Sequence, residues 1–178
     1  MNNKNILSDL SRACYKYFCC ISRSTTSEDI TAIPISCNEN TLLLAEYDES
    51  YSFIGYSIIW IRDIVNYVVY DSNVFFQYRV KSKLNVAPCK IHIKLNDIFH
   101  ELERKVPLVI IMKRLSHESI VWVGNIQRIT PKMIYLNELD TEAHWLGIHC
   151  HKVNSISKVI FGDHYSRALW AIASEVKK

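Results

Sequence analysis

Residues 42–71 read LLLAEYDESYSFIGYSIIWIRDIVNYVVYD, and residues 134–163 read IYLNELDTEAHWLGIHCHKVNSISKVIFGD. Laid over each other without a gap, at an offset of 92, they agree at six positions: Leu44/Leu136, Glu46/Glu138, Asp48/Asp140, Gly55/Gly147, Ile64/Ile156 and Asp71/Asp163. Twelve further positions pair apolar with apolar, among them Phe53/Trp145, Ile54/Leu146, Ile61/Val153 and Val69/Phe161. Unrelated segments of this composition share roughly two identities over such a length, so the chain reads as two copies of one unit.

Each copy reads as strands. Leu42 to Tyr47 and Ile134 to Glu138 run up to polar breaks at Asp48-Glu49-Ser50 and Asp140-Thr141-Glu142. Gly55 and Gly147 open a second run in each copy, and an isolated strand glycine marks a bulge or a tight bend. Ile64–Tyr70 and Ile156–Phe161 form a third run, rich in β-branched and aromatic residues. Two more strands, Leu108–Lys113 and Ser119–Ile129, precede the second copy. The first copy shows one, Ile30–Ser36, and Pro34 within it points to an edge or irregular strand.

Apolar stripes at helical spacing bracket the copies. They are Ile6, Leu7, Leu10, Cys14, Tyr17 and Phe18; then Leu95, Ile98, Phe99 and Leu102, with Asn96 as cap and Pro107 as stop; then Tyr165, Leu169 and Ile172 after a cap at Asp163. The expected order is helix, strands, helix, five strands, helix: mainly β with flanking helices (α+β). A helix followed by a bent five-stranded antiparallel sheet is the outline of an Sm-like or SH3-like half-open barrel. The expectation is two such half-barrels in tandem. Residues 1–82 would hold the first helix and repeat, and residues 83–178 the linker helix, second repeat and C-terminal helix. Each half is short for an independent core, so the two are expected to pack as one unit.

Composition narrows the function classes. Of 178 residues, 49% are hydrophobic and 22% charged, which is the profile of a globular chain. The net charge of +3 is too even for a dedicated nucleic-acid arm or an acidic tail. Only four glycines occur, at 55, 124, 147 and 162, too far apart to cradle a phosphate, so nucleotide-loop fingerprints are excluded. The first ten residues are broken by Asn5, Ser8 and Asp9, unlike a secretory leader, and no apolar run reaches the ~20 residues that span a bilayer. The six cysteines, Cys14, Cys19, Cys20, Cys37, Cys89 and Cys150, are irregularly spaced, and three of them crowd the first helical stripe. Reduced thiols in a cytoplasmic protein without membrane association are the expectation.

Candidate chemistry is sparse. In a strand, His149 and His151 share a face while Cys150 points away, so this tripeptide cannot supply three ligands, and no metal or other cofactor is expected. No cysteine sits at a strand-to-helix elbow, so thiol catalysis is not supported. The matched acids read as two polar loops, Glu46, Asp48 and Glu49 in one and Glu138, Asp140 and Glu142 in the other. They are solvated turns or, functionally, a docking surface for a basic protein partner. Arg79, Lys81, Lys83, Lys90 and Lys94, interleaved with Phe75, Phe76 and Tyr78, form the opposite candidate. They are an exposed connector or a groove for single-stranded RNA.

One resemblance adds to this. Trp145-Leu146-Gly147, then Ile156, Val159 and Phe161-Gly162-Asp163-His164-Tyr165, then Ala168-Leu169, resembles the C-terminal half of a group of small bacterial proteins similar to immunity proteins of contact-dependent growth inhibition systems. Gly55-Tyr56 with Ile61-Arg62-Asp63-Ile64 resembles the first half of the same group, and the likeness spans about residues 40–71 and 106–170. The resemblance implies a non-enzymatic cytoplasmic protein that binds a cognate toxin domain, often a nuclease, and blocks its active site. It carries over no binding residue. The reading that follows is an immunity protein with the six acids as toxin-binding candidates, and RNA binding through residues 75–94 as the alternative.

Overall fold

The computed structural model describes residues 3–50, 52–70, 93–94, 97–114 and 120–175. The chain divides into two compact units, Met1–Leu95 and Asn96–Lys178. The join expected after residue 82 lies outside the described residues.

In the first unit, helix α1 (Asn3–Ala13) precedes β1 (Cys19–Arg23), β2 (Ile30–Cys37), β3 (Thr41–Tyr47), β4 (Phe53–Trp60), a 3-10 turn (Ile61–Asp63) and β5 (Ile64–Val69). In the second, α2 (Ile98–Lys105) precedes β6 (Val109–Lys113), β7 (Val121–Ile129), β8 (Met133–Leu139), β9 (Trp145–Lys152), a 3-10 turn (Val153–Ser155) and β10 (Ile156–Phe161), and α3 (His164–Glu175) closes it. Within each unit all pairings are antiparallel, and the last strand lies beside the first: β5-β1-β2-β3-β4 and β10-β6-β7-β8-β9. The mainly β class with flanking helices is thus observed. Neither unit closes its own sheet, since β4 and β5, and likewise β9 and β10, stand at opposite ends of their orders.

The duplication extends to single residues. β3 pairs with β4 from Thr41↔Trp60 to Tyr47↔Phe53, and β8 with β9 from Met133↔Lys152 to Leu139↔Trp145, every pair displaced by 92. Irregularities repeat too. The β1–β5 register passes over Val65 and the β6–β10 register over Ser157; β2–β3 passes over Ile35 and β7–β8 over Gln127. Bulges at matching places bend both sheets at matching places. Connecting bonds follow suit: Ser24 N–H donates to Asp63 O at 2.8 Å and Arg114 N–H to Ser155 O at 2.9 Å, while Ile61 N–H reaches Asn40 O at 2.9 Å and Val153 N–H reaches Lys132 O at 3.0 Å. Gly55 and Gly147, each opposite a matched glutamate, have φ of 147° and 96°, a region open to glycine.

One expectation is corrected. The first apolar stripe does not stay helical through Phe18: α1 ends at Ala13, Tyr15 takes φ of 58°, and its N–H donates to Pro34 O at 2.8 Å. That positive φ ends the helix. Cys19 and Cys20 therefore lie in β1, whose alternating burial is that of a strand. Elsewhere α2 stops at Lys105, two residues before Pro107, with Asp97 at its N-cap, and the proposed cap Asn96 lies outside the described residues. The Asp163 carboxylate caps α3 as expected, accepting from Ser166 N–H at 2.9 Å.

Cores follow from the strand faces. In the first unit Ile6 and Leu10 of α1 close over Cys19, Ile21, Ile30, Ala32, Leu42, Leu44, Ile59, Ile61 and Ile64. Each fully buried Leu or Ile there contributes about 1.5–3 kcal/mol of transfer free energy. In the second unit Leu169 and Ala173 of α3 pack on Leu108, Ile110, Val123, Leu139 and Ala143.

Candidate functional site

The acidic loops are built by their aspartates. Asp48 Oδ1 accepts from Ser50 N–H at 2.8 Å, Ser50 Oγ at 2.7 Å and Ser52 N–H at 2.9 Å. Asp140 Oδ1 accepts from Glu142 N–H at 2.8 Å and His144 N–H at 2.9 Å. The same turn is thus made twice, at residues 92 apart, which is a physical reason for the Asp48/Asp140 identity. These bonds favour the ionised form: the Ser50 hydroxyl foremost holds Asp48, and the His144 amide foremost holds Asp140, below the usual carboxylate range. Glu49 and Glu142 are exposed on the two loops. His144 Nδ1 lies 3.2 Å from Asp140 Oδ2 and 3.7 Å from Glu142 Oε2, so the second loop gathers two acids around one imidazole.

Glu46 and Glu138 are corrected from loop to strand. Both are buried, 7% and 8% exposed, on the inner-facing positions of β3 and β8. Ser57 Oγ donates to Glu46 Oε1. Glu138 Oε1 instead meets His151 Nε2 at 2.6 Å, and His151 is 3% exposed. Trp122 stands edge-on to the His151 ring at 5.6 Å, and Lys113 Nζ lies 4.0 Å over Trp122. Burial, foremost, lowers the pKa of His151, with Lys113 and His149 pushing the same way and Glu138 pulling it up. The imidazole is therefore neutral at pH 7, donating through Nε2, while Nδ1 finds no partner among the described residues. Of this cluster, Trp122 and His151 occupy positions that the first unit fills with Ile30 and Ile59, while Glu138 matches the buried Glu46.

Sequence reasoning missed this cluster, although the 92-residue offset carried its signal by setting His151 on Ile59 and Trp122 on Ile30. The expected face-sharing of His149 and His151 did not distinguish their fates either: His149 and Cys150 are exposed and His151 is buried.

An exposed apolar strand was missed as well. β4 and β10 are buried along most of their length, whereas β9 leaves Leu146 at 54% and Ile148 at 63% exposure. Its only strand neighbour among the described residues is β8, so among them its other backbone edge has no strand partner. β9 starts five residues beyond Asp140, directly out of the second acidic loop.

Of the basic candidates, Lys94 is exposed, while Arg79, Lys81, Lys83 and Lys90, with the interleaved aromatics, lie outside the described residues. Among the described residues no three His, Cys, Asp or Glu side chains are grouped to hold a metal ion, and no helix is long and apolar enough to cross a membrane. No protein-family model, curated protein or solved structure matches this chain.

Proposed function

We propose that this chain is a non-enzymatic binding module, two Sm-like or SH3-like half-barrels in tandem. We read it as the cytoplasmic immunity protein of a contact-dependent growth inhibition system, covering the active site of a cognate toxin domain. The observation that carries the reading is the outer strand β9 together with the loop that launches it. Leu146 and Ile148 are more than half exposed, and Asp140 and Glu142 stand at the strand's entrance. An unpaired edge supplies backbone hydrogen bonds to an incoming strand, and its apolar side chains supply desolvated contact. The acids speed the approach of a basic partner without fixing its identity. The hydrogen bonds of Asp140 hold the loop in one form before binding, which lowers the ordering cost of association.

The test is a binding measurement against the toxin domain that this reading expects in the neighbouring gene. A 1:1 complex on size exclusion is the expected result, with Ile148→Asp weakening affinity by about tenfold or more. Neutralisation of the toxin with no complex formed, or full affinity in Ile148→Asp and Leu146→Asp, would reject the reading.

A further inference from the structure

We propose that Cys14 and Cys37 are a peroxide-reactive pair that closes to an intrachain disulfide and locks the end of α1 onto β2. The topology brings them together across 23 positions of sequence. Cys14 follows the last residue of α1, Cys37 is the last residue of β2, and the Tyr15 N–H to Pro34 O bond of 2.8 Å lays one segment beside the other. Cys14 Sγ donates to Leu10 O at 3.4 Å, Cys37 packs against the apolar cluster that contains Leu10, and each thiol is the other's foremost electrostatic neighbour. Both are free and only half-buried, so a small oxidant reaches them.

The two sulfurs are not equivalent. The Cys14 thiol lowers the Cys37 pKa against the opposing effect of burial, and Ser11 adds to the lowering, while Cys14 is raised. Cys37 is thus the sulfur that ionises and Cys14 the one that keeps its proton. The remaining described thiols are placed differently. Burial pushes Cys19 up to about 12, Cys20 is raised by burial and by Asp29, and Cys150 is exposed on β9.

The reaction needs hydrogen peroxide as its oxidant. The Cys37 thiolate attacks one peroxide oxygen, an S–O bond forms, the O–O bond breaks, and the departing hydroxide takes a proton to become water. Cys14 then gives up its proton and its sulfur attacks Cys37. The S–S bond forms, the S–O bond breaks, and the hydroxyl leaves with that proton as a second water. Two thiols and one peroxide give one disulfide and two waters. The product ties helix to sheet within the first unit, so a thiol reductant such as glutathione is the class of reagent that reopens it.

The experiment treats the reduced full chain with less than one equivalent of hydrogen peroxide at neutral pH, quenches with an alkylating agent and maps the peptides by mass spectrometry. The expected result is a peptide linked through residues 14 and 37, lighter by two hydrogens, formed before any change at Cys150 and reversed by dithiothreitol. Cys14→Ser should leave a sulfenic acid on Cys37 that a cyclic diketone traps. Cys37→Ser should slow peroxide consumption by about tenfold or more. Melting of the unsubstituted chain gives a second readout independent of variant folding: the oxidised form should melt higher than the reduced form. Oxidation of Cys150 ahead of any 14–37 link, or wild-type peroxide consumption in Cys37→Ser, would overturn the proposal, as would an oxidised form that melts no higher.

Discussion

Glu138 and His151 meet at 2.6 Å inside the second unit, whereas at the matching places of the first unit Glu46 takes its hydrogen bond from Ser57 and an isoleucine, Ile59, replaces the imidazole. One scaffold thus buries the same acid in both copies, held by a serine hydroxyl in one and by an imidazole in the other. Removing one member of such a pair strands the other in a low-dielectric setting, which costs more than the pair contributes. His151→Ala should therefore destabilise the second unit by about 2–4 kcal/mol, measured by urea denaturation. A cost under about 0.5 kcal/mol would show that Glu138 finds other partners.

The same residue sets a pH dependence. The folded state depresses the His151 pKa below its ordinary 6.5, so the unfolded chain binds the extra proton first as pH falls. Stability should then be full above about pH 6.5 and decline as the pH drops through the lower folded value. The slope in that window should flatten in His151→Gln. An unchanged slope would assign the acid sensitivity to another group.

Asp48 and Asp140 both have lowered carboxyl pKa values because backbone and hydroxyl donors favour their charged forms. The stabilising effect is present above the ordinary carboxylate range and is lost as pH falls below it. Asp140→Ala should speed amide exchange at Glu142 and His144, the two donors it holds, while exchange in β8 stays slow. Slow exchange throughout the loop in the variant would mean that the turn does not depend on this carboxylate.

Two glycines of the second unit should fail for different reasons. A Cβ on Gly124 would stand 2.5 Å from the backbone oxygen of Asn137, so Gly124→Ala forces β7 and β8 apart and should cost about 1–3 kcal/mol. A Cβ on Gly147 meets nothing within 4 Å, and its penalty is the φ of 96° alone, about 1–2 kcal/mol. Because the first arises from a clash, Gly124→Ser should be no better tolerated than Gly124→Ala. Equal melting of Gly124→Ala and the unsubstituted chain would contradict the close strand approach.

Asp163→Ala removes the acceptor for the Ser166 amide at the start of α3 and should lower stability by about 1 kcal/mol, with Asp163→Asn recovering most of it. Loss of stability in Asp163→Asn equal to that in Asp163→Ala would place the effect outside the cap.

The strands within residues 42–71 and 134–163 were legible because alternation, the matched glycines and the acidic breaks are local signals. β1 was not legible. It spans only Cys19–Arg23 and follows a helical stripe whose spacing runs on past Ala13, and the reversal at Tyr15 depends on a bond to Pro34 that no local pattern announces. The candidate site was legible in part. Loop aspartates declare themselves by turn chemistry, but alternation says only which residues share a face, not which face is buried. Glu46 and Glu138 were therefore read as solvated although they point inward, and Leu146 and Ile148 were aligned with apolar partners yet stand in solvent.

Two hairpins of the same register in one polypeptide can exchange partners while the chain is still folding. β3 could accept β9, or β8 accept β4, with every backbone bond and every bulge in place, so the main chain offers no discrimination between the correct and the crossed pairing. Selection falls to the side chains, which are Ile59 and Trp60 in the first hairpin but His151 and Lys152 at the matching places of the second. Divergence at those positions would disfavour the crossed pairing. Restoring identity there, by making the second hairpin a copy of the first, would raise the yield of crossed and intermolecularly swapped forms on refolding.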